Sequence, residues 1–263
     1  MELTQLLTVA IEASIVAGEK IMEVYVQDDF GTELKADNSP LTKADLAAHD
    51  IIESYLSKTI IPILSEEGKE IPFEIRRHWK RLWIVDPLDG TKEFINRNGE
   101  FTVNIALVEN NKPTLGVIFA PVLKELYFST EKHGAFKVEN VKGFDSFTTF
   151  CSTAQKLPLK RPLTYTVVAS RSHLSDETKG FIRELEKKHG EVITISKGSS
   201  LKFCMVAEGL AHTYPRFAPT MEWDTAAGQA ICEHSGLKVM DWETQVEMIY
   251  NREDLLNNWF LVV

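Results

Sequence analysis

Trp83-Ile84-Val85-Asp86-Pro87-Leu88-Asp89-Gly90-Thr91-Lys92-Glu93-Phe94 is the stretch around which this chain is organised. Trp83–Val85 is bulky and β-branched and predicts a buried strand. Asp86 closes it, and Pro87, with no N–H to donate, is expected to stop the pairing there. Asp89-Gly90 then turns the chain, Gly90 being free to take a positive φ. Two carboxylates three residues apart thus leave a strand end together, with the Leu88 carbonyl and the Thr91 hydroxyl beside them. Hard divalent cations take such oxygen ligands. An Asp-Pro/Asp-Gly turn, each carboxylate capping local backbone, accounts for the same residues. A calcium loop of the EF-hand type does not. Counted from Asp86, its third, fifth and twelfth positions are Leu88, Gly90 and Arg97, which lack the required oxygens and terminal Glu.

The 263 residues suffice for a substantial core, and the 25% charged and 44% hydrophobic content is that of a globular protein. A net charge of −9 argues against a nucleic-acid surface. Cys151, Cys204 and Cys232 have no CxxC spacing, so neither a disulfide framework nor a zinc site is indicated. Cys204 and Cys232 sit in apolar helical patterns as core thiols. No signal-peptide pattern opens the chain and no run approaches bilayer-spanning length, which places the protein in a reducing cytoplasm.

Outward from the central stretch, the spacing of Leu3, Leu6, Leu7, Ala10, Ala13, Ala17, Ile21 and Val24 predicts a long amphipathic helix over Leu3–Val26. Thr42-Lys43-Ala44-Asp45 reads as a capping box opening a helix through Leu56, with capping the ordinary role for Asp45. Ile61–Leu64 predicts a strand ending in Ser65-Glu66-Glu67-Gly68, whose acidic pair also suits a solvated turn. Phe101–Val108, Pro113–Phe119, Leu123–Ser129 and Gly134–Val138 follow as strands of an antiparallel sheet covered by the two N-terminal helices. Thr148–Pro162, polar and holding two prolines, is expected as a crossover. It separates a metal-binding half (1–155) from a nucleotide-contacting half (156–263).

Beyond it, strands at Tyr165–Ala169, Val192–Ser196, Ala211–Tyr214, Leu237–Met240 and Phe260–Val263 alternate with helices at Asp176–His189, Leu201–Glu208 and Asp224–His234. This predicts a second α/β layer. Lys197-Gly198-Ser199-Ser200-Leu201-Lys202 opens a helix and suits an anion at its N-terminus, or a serine N-cap. Arg171, His173 and Arg216 follow strands, where α/β ligands lie, though isolated basic residues are more often surface charges. Asp224 starts an alanine-rich helix, where an N-cap is the ordinary reading.

Ser65-Glu66-Glu67, Asp86-Pro87-Leu88-Asp89-Gly90-Thr91 and Trp223-Asp224-Thr225-Ala226-Ala227-Gly228, in this order, resemble the metal-binding motifs of the inositol monophosphatase superfamily. Lys35–Pro40, Thr91–Phe94, Asn98–Leu107, Gly198–Phe203 and Tyr214–Phe217 are similar to its CysQ branch, the bacterial 3′(2′),5′-bisphosphate nucleotidases. Ala218, where that branch has Gly, and the stretch Gly68–Ile75 depart from the pattern. The resemblance implies a layered α/β/α/β/α sandwich and a lithium-sensitive phosphatase using two or three Mg²⁺. It implies Glu66, Asp86 and the Leu88 carbonyl on one ion, and Asp86, Asp89 and Asp224 on another. Asp45 and Thr91, with Glu66, would deprotonate the attacking water. Gly90, Thr91, His173, Ser199, Lys202, Arg216 and Asp224 would hold the substrate. The implied reaction is hydrolysis of adenosine 3′,5′-bisphosphate to AMP in sulfur assimilation, with an inositol or sugar phosphatase as the alternative. An inactive phosphate-binding module is the alternative outside enzymes. No stable protein partner is indicated, and the resemblance also admits a peripheral place on the inner membrane.

Overall fold

A computed structural model describes every residue except 28–29, 36–39, 145 and 171–174. The chain opens with α1 (Leu3–Tyr25), a ribbon of β1 (Glu33–Leu34) and β2 (Pro40–Leu41), and α2 (Lys43–Leu56). Then come β3 (Ile63–Ser65), a single turn α3 (Phe73–Arg76), β4 (Arg81–Asp89), a short α4 (Thr91–Ile95), β5 (Thr102–Glu109), β6 (Lys112–Ala120), β7 (Glu125–Thr130) and β8 (Gly134–Val138). The segment expected as a plain crossover holds α5 (Phe147–Ser152) and β9 (Gln155–Lys156). Burial of Phe150 and pairing of Gln155 with Lys137 override its polar composition. The remainder is β10 (Tyr165–Ser170), α6 (Asp176–His189), β11 (Val192–Lys197), α7 (Leu201–Glu208), β12 (Tyr214–Arg216), α8 (Glu222–His234), β13 (Val239–Asp241) and β14 (Phe260–Val262).

Strands β3 to β9 form one sheet in sequence order. It is antiparallel except at its edge, where β3 runs parallel to β4. Its central strands are buried on both faces, so the alternation along β4 divides between two cores. Trp83 and Val85 pack with the apolar stripes of α1 and α2, while Leu82 and Ile84 pack with α7 and α8. Beyond α7 and α8, β12, β14 and β13 form a small sheet that an isolated parallel bridge, Val167 to Thr213, links to the parallel pair β10 and β11. The charged helix α6 lies outermost. The order of layers is α/β/α/β/α.

Two local expectations are corrected. Pairing of β4 does not end at Pro87: Asp86 opposes Asn104 and Asp89 opposes Thr102, with the register shifting between them. Two residues of β4, Pro87 and Leu88, therefore face one of β5, a bulge that accommodates a proline without asking it to donate. The strand expected at Ala211–Tyr214 is β12 instead, which places Arg216 within it and paired with Phe260.

Helix α8 lies directly on the sheet at Gly116. A Cβ there would stand 2.5 Å from the Ala227 carbonyl oxygen and 2.8 Å from Ala230 Cβ. The neighbour is helix backbone, so Gly116→Ala forces α8 outward and is expected to destabilise the fold by about 1–3 kcal/mol. A urea midpoint equal to the wild type's would show that α8 slides freely.

Candidate active site

The bulge in β4 sends Asp86 and Asp89 to the same place from one strand end. Gly90 follows at φ 93°, as the turn required, and starts α4. The third carboxylate arrives from α8, where Asp224 is in the first turn rather than at the N-cap and accepts from the Met221 N–H at 2.8 Å. One carboxylate oxygen from each of Asp86, Asp89 and Asp224 lies within 4.8 Å of the other two. Asp86 also accepts the Leu88 N–H at 3.0 Å, which fixes the bulge.

Glu66 stands beside this group rather than within it. The turn after β3 brings it close enough to Asp86 for its charge to raise that carboxyl, and Lys35 Nζ donates to its Oε1 at 2.7 Å. Lys35 also pairs with Glu67. The sequence pattern gave Lys35 no role of its own.

Asp45 does cap α2, as its position in the box required. Its Oδ2 accepts from Thr42 N at 2.7 Å and Thr42 Oγ1 at 2.5 Å. Its other oxygen, Oδ1, accepts from Thr91 Oγ1 at 3.2 Å, while the Leu88 carbonyl lies 3.4 Å from the same hydroxyl. Capping and the contact with Thr91 therefore use different oxygens of one carboxylate.

A pocket runs from Asp89, Gly90 and Asp224 to Lys92, Glu93, Ser199, Lys202, Arg216 and Thr220. Lys202, nearly fully buried, donates to the Ser199 carbonyl at 2.5 Å, and its Nζ lies 5.6 Å from the Tyr214 ring centre. Arg216 donates from one terminal nitrogen to Pro219 O at 3.0 Å, and among the described residues its buried Nε has no hydrogen-bond partner. Ser199 takes φ 46° at the turn into α7. His173, with Arg171, lies outside the described residues.

Missed by sequence reasoning is a buried polar group under the pocket. Ser200 occupies the N-cap of α7, yet its hydroxyl donates to Asn104 Oδ1 at 2.7 Å instead of capping. Asn104 Nδ2 and Ser200 N both donate to Asp89 Oδ2, at 3.2 and 2.5 Å. The available signal was Asn104 itself, an amide in a strand whose neighbours are apolar.

Electrostatically the pocket sets buried carboxylates beside buried cations. Burial, with the charges of Glu66, Asp89 and Asp224 adding, holds the Asp86 carboxyl well above the usual range. Burial, then Asp89 and Glu66, pushes Asp224 up to about 8. Burial likewise raises Asp89, against the pull of Lys202 and the bonds from Asn104 and Ser200. Burial lowers Lys202 to about 8, with Asp89 opposing and Arg216 adding. Crowded hard-oxygen donors of this kind suit a divalent cation, which would remove their mutual repulsion.

A pH dependence follows. The Asp224 carboxyl, pushed up to about 8, holds a proton in the folded, cation-free chain that the unfolded chain releases near pH 4. That stability is present below about pH 4 and is lost as pH rises through about 8. The Tm gained on adding a divalent cation, relative to EDTA, is therefore expected to grow between about pH 5 and pH 8. A gain that shrinks over this interval would rule out a proton-holding carboxylate cluster.

The sequence profile of the inositol monophosphatase family matches residues 2–261. The 3′(2′),5′-bisphosphate nucleotidase CysQ of Salmonella typhimurium is 47% identical over 249 residues, 94% of each chain. The crystal structure of CysQ from Bacteroides thetaiotaomicron is similar at TM-score 0.92 and 51% identity, covering 99% of this chain and 97% of that one. The extragenic suppressor protein suhB of Bartonella henselae is similar at TM-score 0.75 and 26% identity, with 98% and 93% covered. Among the described residues, no helix is long and apolar enough to cross a membrane.

Proposed function

The chain belongs to the inositol monophosphatase family, and on that premise we propose that it is a Mg²⁺-dependent 3′(2′),5′-bisphosphate nucleotidase. Its substrate is adenosine 3′,5′-bisphosphate, cleaved to AMP and phosphate in sulfur assimilation. One observation carries this reading: a single pocket is lined by the carboxylates of Asp89 and Asp224 and by the cations Lys202 and Arg216, whose buried Nε has no hydrogen-bond partner among the described residues. A substrate with two phosphates, one for the carboxylate site and one for Lys202 and Arg216, matches both sets. A monophosphate leaves the buried guanidinium edge without a partner, which is costly.

In this reading Asp86, Asp89 and Asp224, with Glu66 and the Leu88 carbonyl, hold two or three Mg²⁺. When bound, Mg²⁺ would neutralise phosphate charge and stabilise the departing oxygen. The Thr42 bonds hold Asp45 so that Oδ1 meets the Thr91 hydroxyl. Burial raises the Asp45 carboxyl, against those same Thr42 bonds, which suits a base. A water at Thr91 gives its proton to Oγ1 while Thr91 passes its own to Asp45. The water oxygen then bonds to phosphorus, the bond to the nucleoside 3′-oxygen breaks, and that oxygen takes a proton from solvent to become the AMP hydroxyl while Asp45 returns its proton to solvent. Ser199, Lys202 and Arg216 bind the second phosphate and the nucleoside, and Gly90 and Thr91 flank the reacting phosphate. His173 completes this set in the proposal. The buried, unpaired thiols of Cys204 and Cys232 are consistent with a reducing cytoplasm.

A substrate panel with Mg²⁺ tests the reading. Adenosine 3′,5′-bisphosphate should have the highest kcat/KM, above inositol 1-phosphate and fructose 1,6-bisphosphate, and EDTA should abolish all turnover. Equal or better use of inositol 1-phosphate would transfer the assignment to an inositol phosphatase.

A further inference from the structure

We propose that Thr102, Asn104 and Ser200 are positioning residues that make nucleotide binding and divalent-cation binding strengthen each other. The inference rests on the reading of the pocket as a nucleotide site with its carboxylates as the cation site. Thr102 and Asn104 lie two apart on β5, hence on one face, and both are buried, as is Ser200. Such groups are retained in a core only when fully hydrogen-bonded.

The network has one consistent direction. Asn104 must present Nδ2 to Asp89, since the reverse amide orientation would set Oδ1 against a carboxylate oxygen. Its Oδ1 therefore accepts from Ser200 Oγ at 2.7 Å. Ser200 has spent its only hydroxyl proton there, so Thr102 Oγ1 is the donor across the 2.8 Å contact between the two hydroxyls. Both nitrogen donors reach the same oxygen, Asp89 Oδ2. Among the described residues no hydrogen bond engages Oδ1, which leaves that oxygen to the cluster with Asp86 and Asp224.

Ser200 also belongs to the loop that would meet the nucleotide. Ser199 and Lys202 line the pocket, and Lys202 Nζ is tied to the Ser199 and Lys197 carbonyls. Gly198 N donates to Glu100 Oε2 at 2.8 Å, which anchors the start of the loop. Lys202 thus holds the carbonyl of the same peptide that carries the Ser200 N–H, and an anion seated on Lys202 orders that peptide. That N–H is one of the two bonds orienting Asp89. Held between Ser200 and Asn104, the Asp89 carboxylate is preset for a cation, and a bound cation in turn fixes the loop. Linkage requires the effect to be equal in both directions.

The probe is Mn²⁺, an oxygen-seeking cation, titrated into the full chain with and without saturating AMP, its free fraction read by electron paramagnetic resonance. In the wild type AMP should tighten Mn²⁺ by roughly fivefold or more. Asn104→Ala, Ser200→Ala and the near-isosteric Thr102→Val should bring that ratio to within about twofold of unity, while Thr102→Ser, which keeps the donor, retains it. Should the alanine variants fail to fold, Thr102→Val against Thr102→Ser decides. A wild-type ratio kept by the valine variant overturns the coupling. So does a loss of Mn²⁺ affinity that is equal with and without AMP, which is what a merely structural role produces. A wild type that binds Mn²⁺ but no AMP overturns the nucleotide reading itself, and the coupling with it.

Discussion

Asp89→Asn is expected to lower kcat/KM at limiting Mg²⁺ by a hundredfold or more, since even partners of metal ligands cost roughly ten- to a hundredfold. The amide keeps the shape of the carboxylate but cannot satisfy its surroundings. Asp89 Oδ2 accepts from Ser200 N and Asn104 Nδ2. If the Asn oxygen takes that place, its NH₂ points at the position where a cation is to be held. If the amide turns over, two donors face a third. In the first case the cluster loses a charge and an oxygen ligand, in the second a charge and two hydrogen bonds, so cation affinity and the chemical step both decline. Stability should move the opposite way in EDTA, because a like charge has left a crowded, buried group. The pair of results separates the roles. Wild-type rates at limiting Mg²⁺ would mean that Asp89 only shapes the turn. A lower Tm in EDTA would mean that its hydrogen bonds outweigh the repulsion.

What was legible in the sequence followed from short-range physics. The periodicity of α1, the Thr42–Asp45 box and the helices Asp176–His189 and Leu201–Glu208 rest on contacts within a few residues, and the structure has them there. Gly90 was readable because an Asp-Gly turn needs the φ it has. Convergence was a different matter. Nothing local in Asp224 says that it meets Asp86 and Asp89, since α8 reaches them only by lying against Gly116 on the far face of the sheet. Only the resemblance joined these motifs in advance. Where reading failed, a long-range partner had overridden a local rule. Pro87 does not stop β4 because a bulge absorbs it, and Ser200 does not cap α7 because Asn104 takes its proton. Arg216 read as a residue after a strand and lies within one, since Phe260 of β14 supplies its pairing.

Lys202→Ala and Arg216→Ala are each expected to weaken use of adenosine 3′,5′-bisphosphate by roughly ten- to a hundredfold, the loss of one charged hydrogen bond. Both side chains line the same pocket as Asp89 and Asp224. Lys202 is held over Tyr214 by backbone carbonyls rather than by a carboxylate, so its charge remains available to an anion. Arg216 likewise keeps a buried Nε without a partner among the described residues. A phosphate reached by both gains charge-assisted bonds, and that binding energy helps to place the reacting phosphate. Loss should therefore appear in kcat as well as KM. The Lys202 ammonium, lowered to about 8 by burial, adds a pH signature. Its proton is present below about pH 8, so the wild-type advantage over Lys202→Ala should shrink as pH rises past that point. A small monophosphate such as inositol 1-phosphate cannot span to either side chain, and its slower hydrolysis should change little. The ratio of kcat/KM for the two substrates is the quantity to follow, because partial unfolding depresses both alike. If both variants lose the two activities in equal proportion, the second phosphate is not held by these side chains and the bisphosphate assignment falls.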